Sequence, residues 1–196
     1  KLSRGLGDVY KRQQLNEVWG EKSKSLYEEA KKSKESYFTE DRSVNDALLS
    51  YDLAILSMNQ LAEIEKDPKK KINYIRKVAS LLLFQAEVLM ENQQRAKAES
   101  NLEEVVKALE PVFQNMEGAV IIHTALLIFQ IKIYFGDTQS AAQYMKFMDG
   151  YDPDGKLDPN GEEAKELKVS SNKLKAVFDD REILNKDSLS RFHLDE

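Results

Sequence analysis

Apolar residues recur every three or four positions in successive blocks along this chain, and each block ends at a proline, a glycine or a polar run. From Gln14 to about Phe38, Val18, Trp19, Leu26, Tyr27, Ala30 and Tyr37 keep helical spacing among many Lys and Glu. That pattern predicts an amphipathic surface helix with a narrow apolar stripe. Ser43, three residues ahead of Asp46, has the form of a capping-box start. Val44, Leu48, Tyr51, Ile55, Met58 and Ala62 then mark one face of a second helix, and Leu49, Leu53, Leu56 and Ile64 mark another. Two apolar sides need neighbours on both, so this helix is expected inside a layered stack. Asp67-Pro68 ends it and also suits the start of the next, because proline is tolerated in a first turn.

Ile72, Ile75, Ala79, Leu82, Ala86 and Leu89 define one face of a third helix, and Leu81, Phe84 and Val88 make it apolar almost all round. It too is expected to be buried. After "ENQQ" a fourth helix carries Ala98, Leu102, Val105, Val106 and Leu109 and meets Pro111, with Val112 to Met116 as a kinked continuation. Ala119 to Phe135 predicts a fifth helix, although "IFQIKIYF" alternates enough to suit a strand. With no second strand candidate nearby, helix is favoured. Gly136-Asp137 turns the chain into Thr138 to Met148, and beyond an acidic loop Ala164, Leu167, Leu174 and Phe178 mark a last long helix.

Two closely spaced helices can cross tightly near their turn only where side chains are small. Ala86 and Ala98 stand where the third and fourth helices would touch, with Leu82 and Leu89 before the turn, Leu102 and Val105 after it and Pro111 at the end. On these residues the stretch resembles a tetratricopeptide repeat (TPR). "IYFGDTQSAAQYMKFMDGYDP" looks like a second copy, with Gly136 at the turn, Ala141 as the small residue, Met145 and Met148 as core and Pro153 as the closing proline. It departs from the family pattern at Phe129, where a small residue is usual. Ala98 and Ala141 are also 43 positions apart, against about 34 in the family.

The resemblance covers residues 80 to 153 well and 44 to 79 in outline. It implies an all-α fold of antiparallel helical hairpins stacked as a short TPR-like α-solenoid. It also implies a scaffold that binds a peptide or another protein in a groove lined by the first helix of each hairpin. Leu83, Glu87, Met90, Ile128 and Lys132 are the partner-binding candidates, with Glu87 and Lys132 as polar residues in otherwise apolar helices and the other three as an apolar floor. One TPR subclass grips acidic chaperone C-termini through Lys and Asn. The matching positions here hold Leu83 and Glu87, so that clamp is not expected.

Composition narrows the chemistry. A chain of 196 residues that is 41% hydrophobic suits one helical domain, and 8 Gly with 4 Pro favour long helices over a turn-rich β fold. The absence of Cys excludes disulfides, thiol nucleophiles and cysteine metal sites but leaves the compartment open, with the cytoplasm favoured. A net charge of −5 gives no general pull toward nucleic acid or anionic lipid. The most apolar stretch, Ala119 to Phe135, contains His123, Thr124, Gln130 and Lys132. It is shorter than the roughly 20 residues a bilayer needs.

His123 and His193 are the only histidines, and neither belongs to an ExxH or HExxH pattern. His123 is expected as a hydrogen-bonded core residue. No Walker loop, dinucleotide fingerprint or GxSxG motif occurs, and "DDREI" at Asp179 to Ile183 lacks the spacing of the aspartate-rich prenyl-transfer motif. Residues 149 to 163, "DGYDPDGKLDPNGEE", match the middle of an EF-hand loop, but Gly150 and Gly161 stand at its two end ligand positions. The expectation is a solvated turn, no enzyme and no cofactor. "KDPKKK", Lys66 to Lys71, forms a basic cluster that contrasts with the acidic stretch from residue 149 to 166.

The opening "KLSRGLGDVYKRQ" has no helical periodicity and resembles translated sequencing adapter, or else is an ordinary disordered basic N-terminus. The expected division is therefore residues 1–13 as a non-native or disordered segment, 14–178 as the helical domain and 179–196 as a tail. The rival expectation is a small helical-bundle enzyme or ligand-binding protein with its pocket between helices.

Overall fold

A computed structural model of the chain describes residues 20–32, 43–152, 160, 161, 164, 165 and 168. Residues 20–32 are helical and are called α1. They are followed by α2 (Val44–Ile64), α3 (Pro68–Glu91), α4 (Arg95–Leu109), a 3₁₀ segment (Glu110–Asn115), α5 (Ala119–Tyr134) and α6 (Thr138–Asp149). Among the described residues all regular structure is helical, so the fold class is all-α. The alternating run after Leu127 lies in α5, because a helix satisfies its own backbone and no strand among the described residues is there to pair with it.

Local chemistry explains the boundaries. The Ser43 hydroxyl accepts the Asp46 N–H at 3.3 Å and starts α2. In the link to α3, Glu65 Oε1 accepts the N–H groups of Lys66 at 2.8 Å and Asp67 at 2.9 Å, and Asp67 Oδ1 accepts that of Lys69 at 2.9 Å. Pro68 is the first residue of α3, where its missing N–H has no partner to lose. Pro111 cannot continue α4 as an α-helix, and the chain tightens into the 3₁₀ segment instead.

The chain forms two compact units, Lys1–Val88 and Leu89–Glu196, with the boundary inside α3. In the first, buried Ser23 of α1 hydrogen-bonds its hydroxyl to that of Ser57 in α2, and Lys77 Nζ of α3 lies 4.7 Å from the centre of the Tyr27 ring. Gln85 of α3 donates to Asp52 of α2 at 2.6 Å. α2 buries Ala47, Tyr51, Ala54, Ser57, Met58, Leu61 and Ala62.

The second apolar side of α2 corrects the sequence-based expectation. Leu49, Leu53, Leu56 and Ile64 are 57%, 47%, 57% and 49% exposed rather than covered. The buried face combines the small residues Ala47, Ala54 and Ser57 with Tyr51, Met58 and Leu61. Once that face is chosen, the opposite leucines necessarily point outward.

In the second unit α5 is the hub. It packs against α4, the 3₁₀ segment and α6, and buries Ile121, Ile122, Thr124, Ala125, Leu127, Ile128, Phe129, Ile131 and Tyr134. The Thr124 hydroxyl is satisfied by donating to the Val120 carbonyl at 2.7 Å. Buried Phe113 meets the rings of Tyr144 and Phe147 edge-on, with centroids 5.5 and 5.1 Å apart, so the kink at Pro111 is held by aromatic packing on α6.

Candidate functional site

Two turns, each of three residues, organise the candidate interaction helices. After α3, Gln93 donates to the Met90 carbonyl at 3.0 Å and Gln94 to the Leu89 carbonyl at 2.8 Å. After α5, Gly136 donates to Ile133 at 2.9 Å and Asp137 to Lys132 at 2.9 Å. Both are Schellman caps with one residue in left-handed backbone, Gln93 at φ 58° and Gly136 at φ 79°. Four residues beyond the second donor of each turn stands a fully buried alanine, Ala98 in α4 and Ala141 in α6. The core positions expected beyond them divide: Leu102, Val105 and Met148 are fully buried, whereas Met145 is only half-buried.

The five partner-binding candidates are placed unequally. Leu83 is 3% and Ile128 0% exposed, so neither offers surface, whereas Glu87 and Met90 on the last turns of α3 are half-buried. Lys132, one turn beyond Ile128 on α5, extends its ammonium to Glu110 Oε1 at 3.2 Å and to Asp137 Oδ2 at 3.8 Å. Its charge is answered within the same unit, by groups the sequence pattern did not single out. His123 is half-buried on α5, not enclosed as expected.

Around Lys132 the second unit carries a polar seam. Tyr144 of α6 donates to the same Glu110 Oε1 at 3.2 Å, and Tyr134 of α5 donates to Glu99 Oε1 at 3.1 Å, where Arg95 also binds at 3.0 Å. Burial, then the charge of Glu110, raises the Tyr144 hydroxyl well above the ordinary tyrosine value. Burial, then the hydrogen bond to Glu99, raises Tyr134 in the same direction. The Asp137 carboxyl is held below its ordinary value chiefly by the hydrogen bonds of Ser140. These groups clamp helices through neutral phenols and fixed carboxylates; none is arranged as a nucleophile with its base.

An open cleft of about 290 Å³ in the first unit is lined by Ser23, Ser57, Gln60, Leu61, Glu63 and Ile64. Its size stands at the lower edge of small-ligand pockets, about 300 Å³ and upward, and suits one large side chain. Sequence reasoning missed it, because periodicity marks the serines only as small polar residues on separate helices. Their hydroxyl contact spans 34 residues.

Among the described residues no group of three or more His, Cys, Asp or Glu is placed to hold a metal ion, and no helix is long and apolar enough to cross a membrane. Residues 1–13, most of the loop at 149–163, the Asp179 to Ile183 run, the tail from 179 and most of the last predicted helix lie outside the described residues. The same holds for Val18, Trp19 and Tyr37. No protein-family model matches the chain, and no curated protein or solved structure matches it either.

Proposed function

We propose that this protein is a non-enzymatic, TPR-like interaction module that binds a peptide or another protein through the first helix of a hairpin. The observation that carries the proposal is the repeated turn. Residues 89–98 and 132–141 share the same Schellman bonds, left-handed residue and buried alanine, 43 positions apart. The extra length over a regular repeat of about 34 residues is consistent with the 3₁₀ segment at Pro111, which lengthens the first copy. Glu87, Met90 and Lys132 would meet the partner, while buried Leu83 and Ile128 would stiffen the helices beneath them. Affinity capture with the full chain tests this. Glu87→Lys with Met90→Glu should abolish retention of the wild-type partner while circular dichroism and melting temperature are kept. Undiminished retention would overturn the assignment of these residues.

One observation favours a ligand-binding protein instead, the open cleft beside Ser23 and Ser57. A small apolar ligand seated there would raise the melting temperature in proportion to the logarithm of its concentration. Gln60→Trp, which fills the mouth of the cleft, should remove that shift.

A further inference from the structure

The large apolar side chains that the described residues leave most exposed are Leu49, Leu53, Leu56, Ile64 and Phe135. Four of the five lie on one face of α2, at intervals of four, three and eight residues. Scattered exposed leucines need no explanation, but a continuous stripe along a helix marks a contact surface. Its polar surroundings decide what covers it. Asp46, Asp52 and Glu63 are exposed on α2, which carries no Lys or Arg, so the stripe itself repels an anionic membrane. Just past its C-terminal end Lys66, Lys69, Lys70 and Lys71 are all exposed, and the acids beside them are Glu65 and Asp67.

We propose that α2 pairs with α2 of a second copy of this chain, antiparallel about a two-fold axis at Leu56. The surface is self-complementary in that orientation. Leu49 lies seven residues before Leu56 and Ile64 eight after it, so each Leu49 meets the Glu63 to Ile64 end of the other copy. The cleft bordered by Gln60, Glu63 and Ile64 opens at that end, and its volume of about 290 Å³ fits the incoming leucine as an anchor. The same register sets Asp46 against Lys66 and Asp52 against Gln60. A parallel pairing would instead stack Asp52 on Asp52 and one lysine cluster on the other, and would align the two helix dipoles unfavourably. An isologous contact of this kind uses every pair twice and closes at two subunits.

The chain has no cysteine, which makes the register directly testable. Analytical ultracentrifugation of the full chain should give twice the chain mass. Leu53→Glu combined with Leu56→Glu, both at exposed positions, should halve that mass with circular dichroism unchanged. Under mild oxidation Leu56→Cys should form a disulfide-linked dimer. Leu49→Cys alone should not, because its two copies would lie roughly 21 Å apart along the helix axis, at 1.5 Å per residue. A wild-type monomer at the highest soluble concentration would overturn the proposal and leave the stripe to a different chain or to another segment of this one. Cross-linking through Leu49→Cys, or a dimer that survives the double glutamate variant, would overturn it equally.

Discussion

Gln93 and Gly136 hold the same station in two turns 43 residues apart, both in left-handed backbone, with the N–H of each bonded to the carbonyl three residues earlier. Only the second has the residue that takes this conformation without penalty. A non-glycine residue there costs about 1–2 kcal/mol, partly offset because glycine loses more entropy on folding. Gln93→Gly should therefore raise stability by up to about 1 kcal/mol, and Gly136→Ala should lower it by a similar amount. Nothing lies within 4 Å of a Cβ built at Gly136, so that loss is conformational and not steric. Urea unfolding of both variants measures the pair, and a neutral Gly136→Ala would show that the turn relaxes.

Ala98 is fully buried and Ala96 exposed, two positions apart on α4. Ala98→Leu should destabilise by about 1–3 kcal/mol through overpacking, while Ala96→Leu stays within about 0.5 kcal/mol of wild type, as surface changes do. Thermal and chemical denaturation distinguish them.

Phe113 anchors the segment after Pro111 between Tyr144 and Phe147. Phe113→Ala should cost about 3–5 kcal/mol, as for other buried aromatic truncations. Phe113→Leu should cost roughly 1 kcal/mol through loss of the edge-on contacts. Equal effects of the two would mean that the cavity closes around either side chain.

Asp137 caps α6 by accepting the Ser140 N–H at 3.1 Å. Asp137→Ala should cost about 1 kcal/mol, and Asp137→Asn should restore most of it. Because the folded carboxyl ionises more readily than an unfolded one, its contribution is present above the ordinary carboxylate range and is lost as pH falls through the lowered folded value. Stability measured down an acid series should fall less steeply in Asp137→Asn than in wild type.

Tyr144 titrates in the opposite sense. Burial and Glu110 favour its neutral form, so its contribution is complete below the ordinary tyrosine value and is lost as pH rises through the raised folded one. Ultraviolet titration of the native protein should show late-ionising tyrosines, of which one is lost in Tyr144→Phe and moves to lower pH in Glu110→Gln while Tyr134 stays. A Tyr144 step unmoved by Glu110→Gln would assign the shift to burial alone.

Helix by helix, much of this architecture follows from local rules that any chain carrying these residues obeys. The caps at Ser43 and Asp67, the break at Pro111 and the turn at Gly136 depend on neighbours a few residues away. Ala98 and Ala141, the small residues that the TPR resemblance puts inside, are fully buried. The partner-binding candidates were less legible. Ile128 and Lys132 share a face of α5 by spacing, yet one is enclosed and the other reaches Glu110 and Asp137.

By itself the sequence determined the all-helical class, the order of the described helices and the turn at Gly136, since these are set by periodicity, caps and the special backbones of proline and glycine, whereas the left-handed Gln93 was not legible in it. Only tertiary structure decided which of the two apolar sides of α2 is buried, that Ser23 meets Ser57, and that Glu110 receives both Lys132 and Tyr144. Periodicity says which residues share a face. It carries no information about which face a neighbouring helix takes, because that depends on residues far away in the chain.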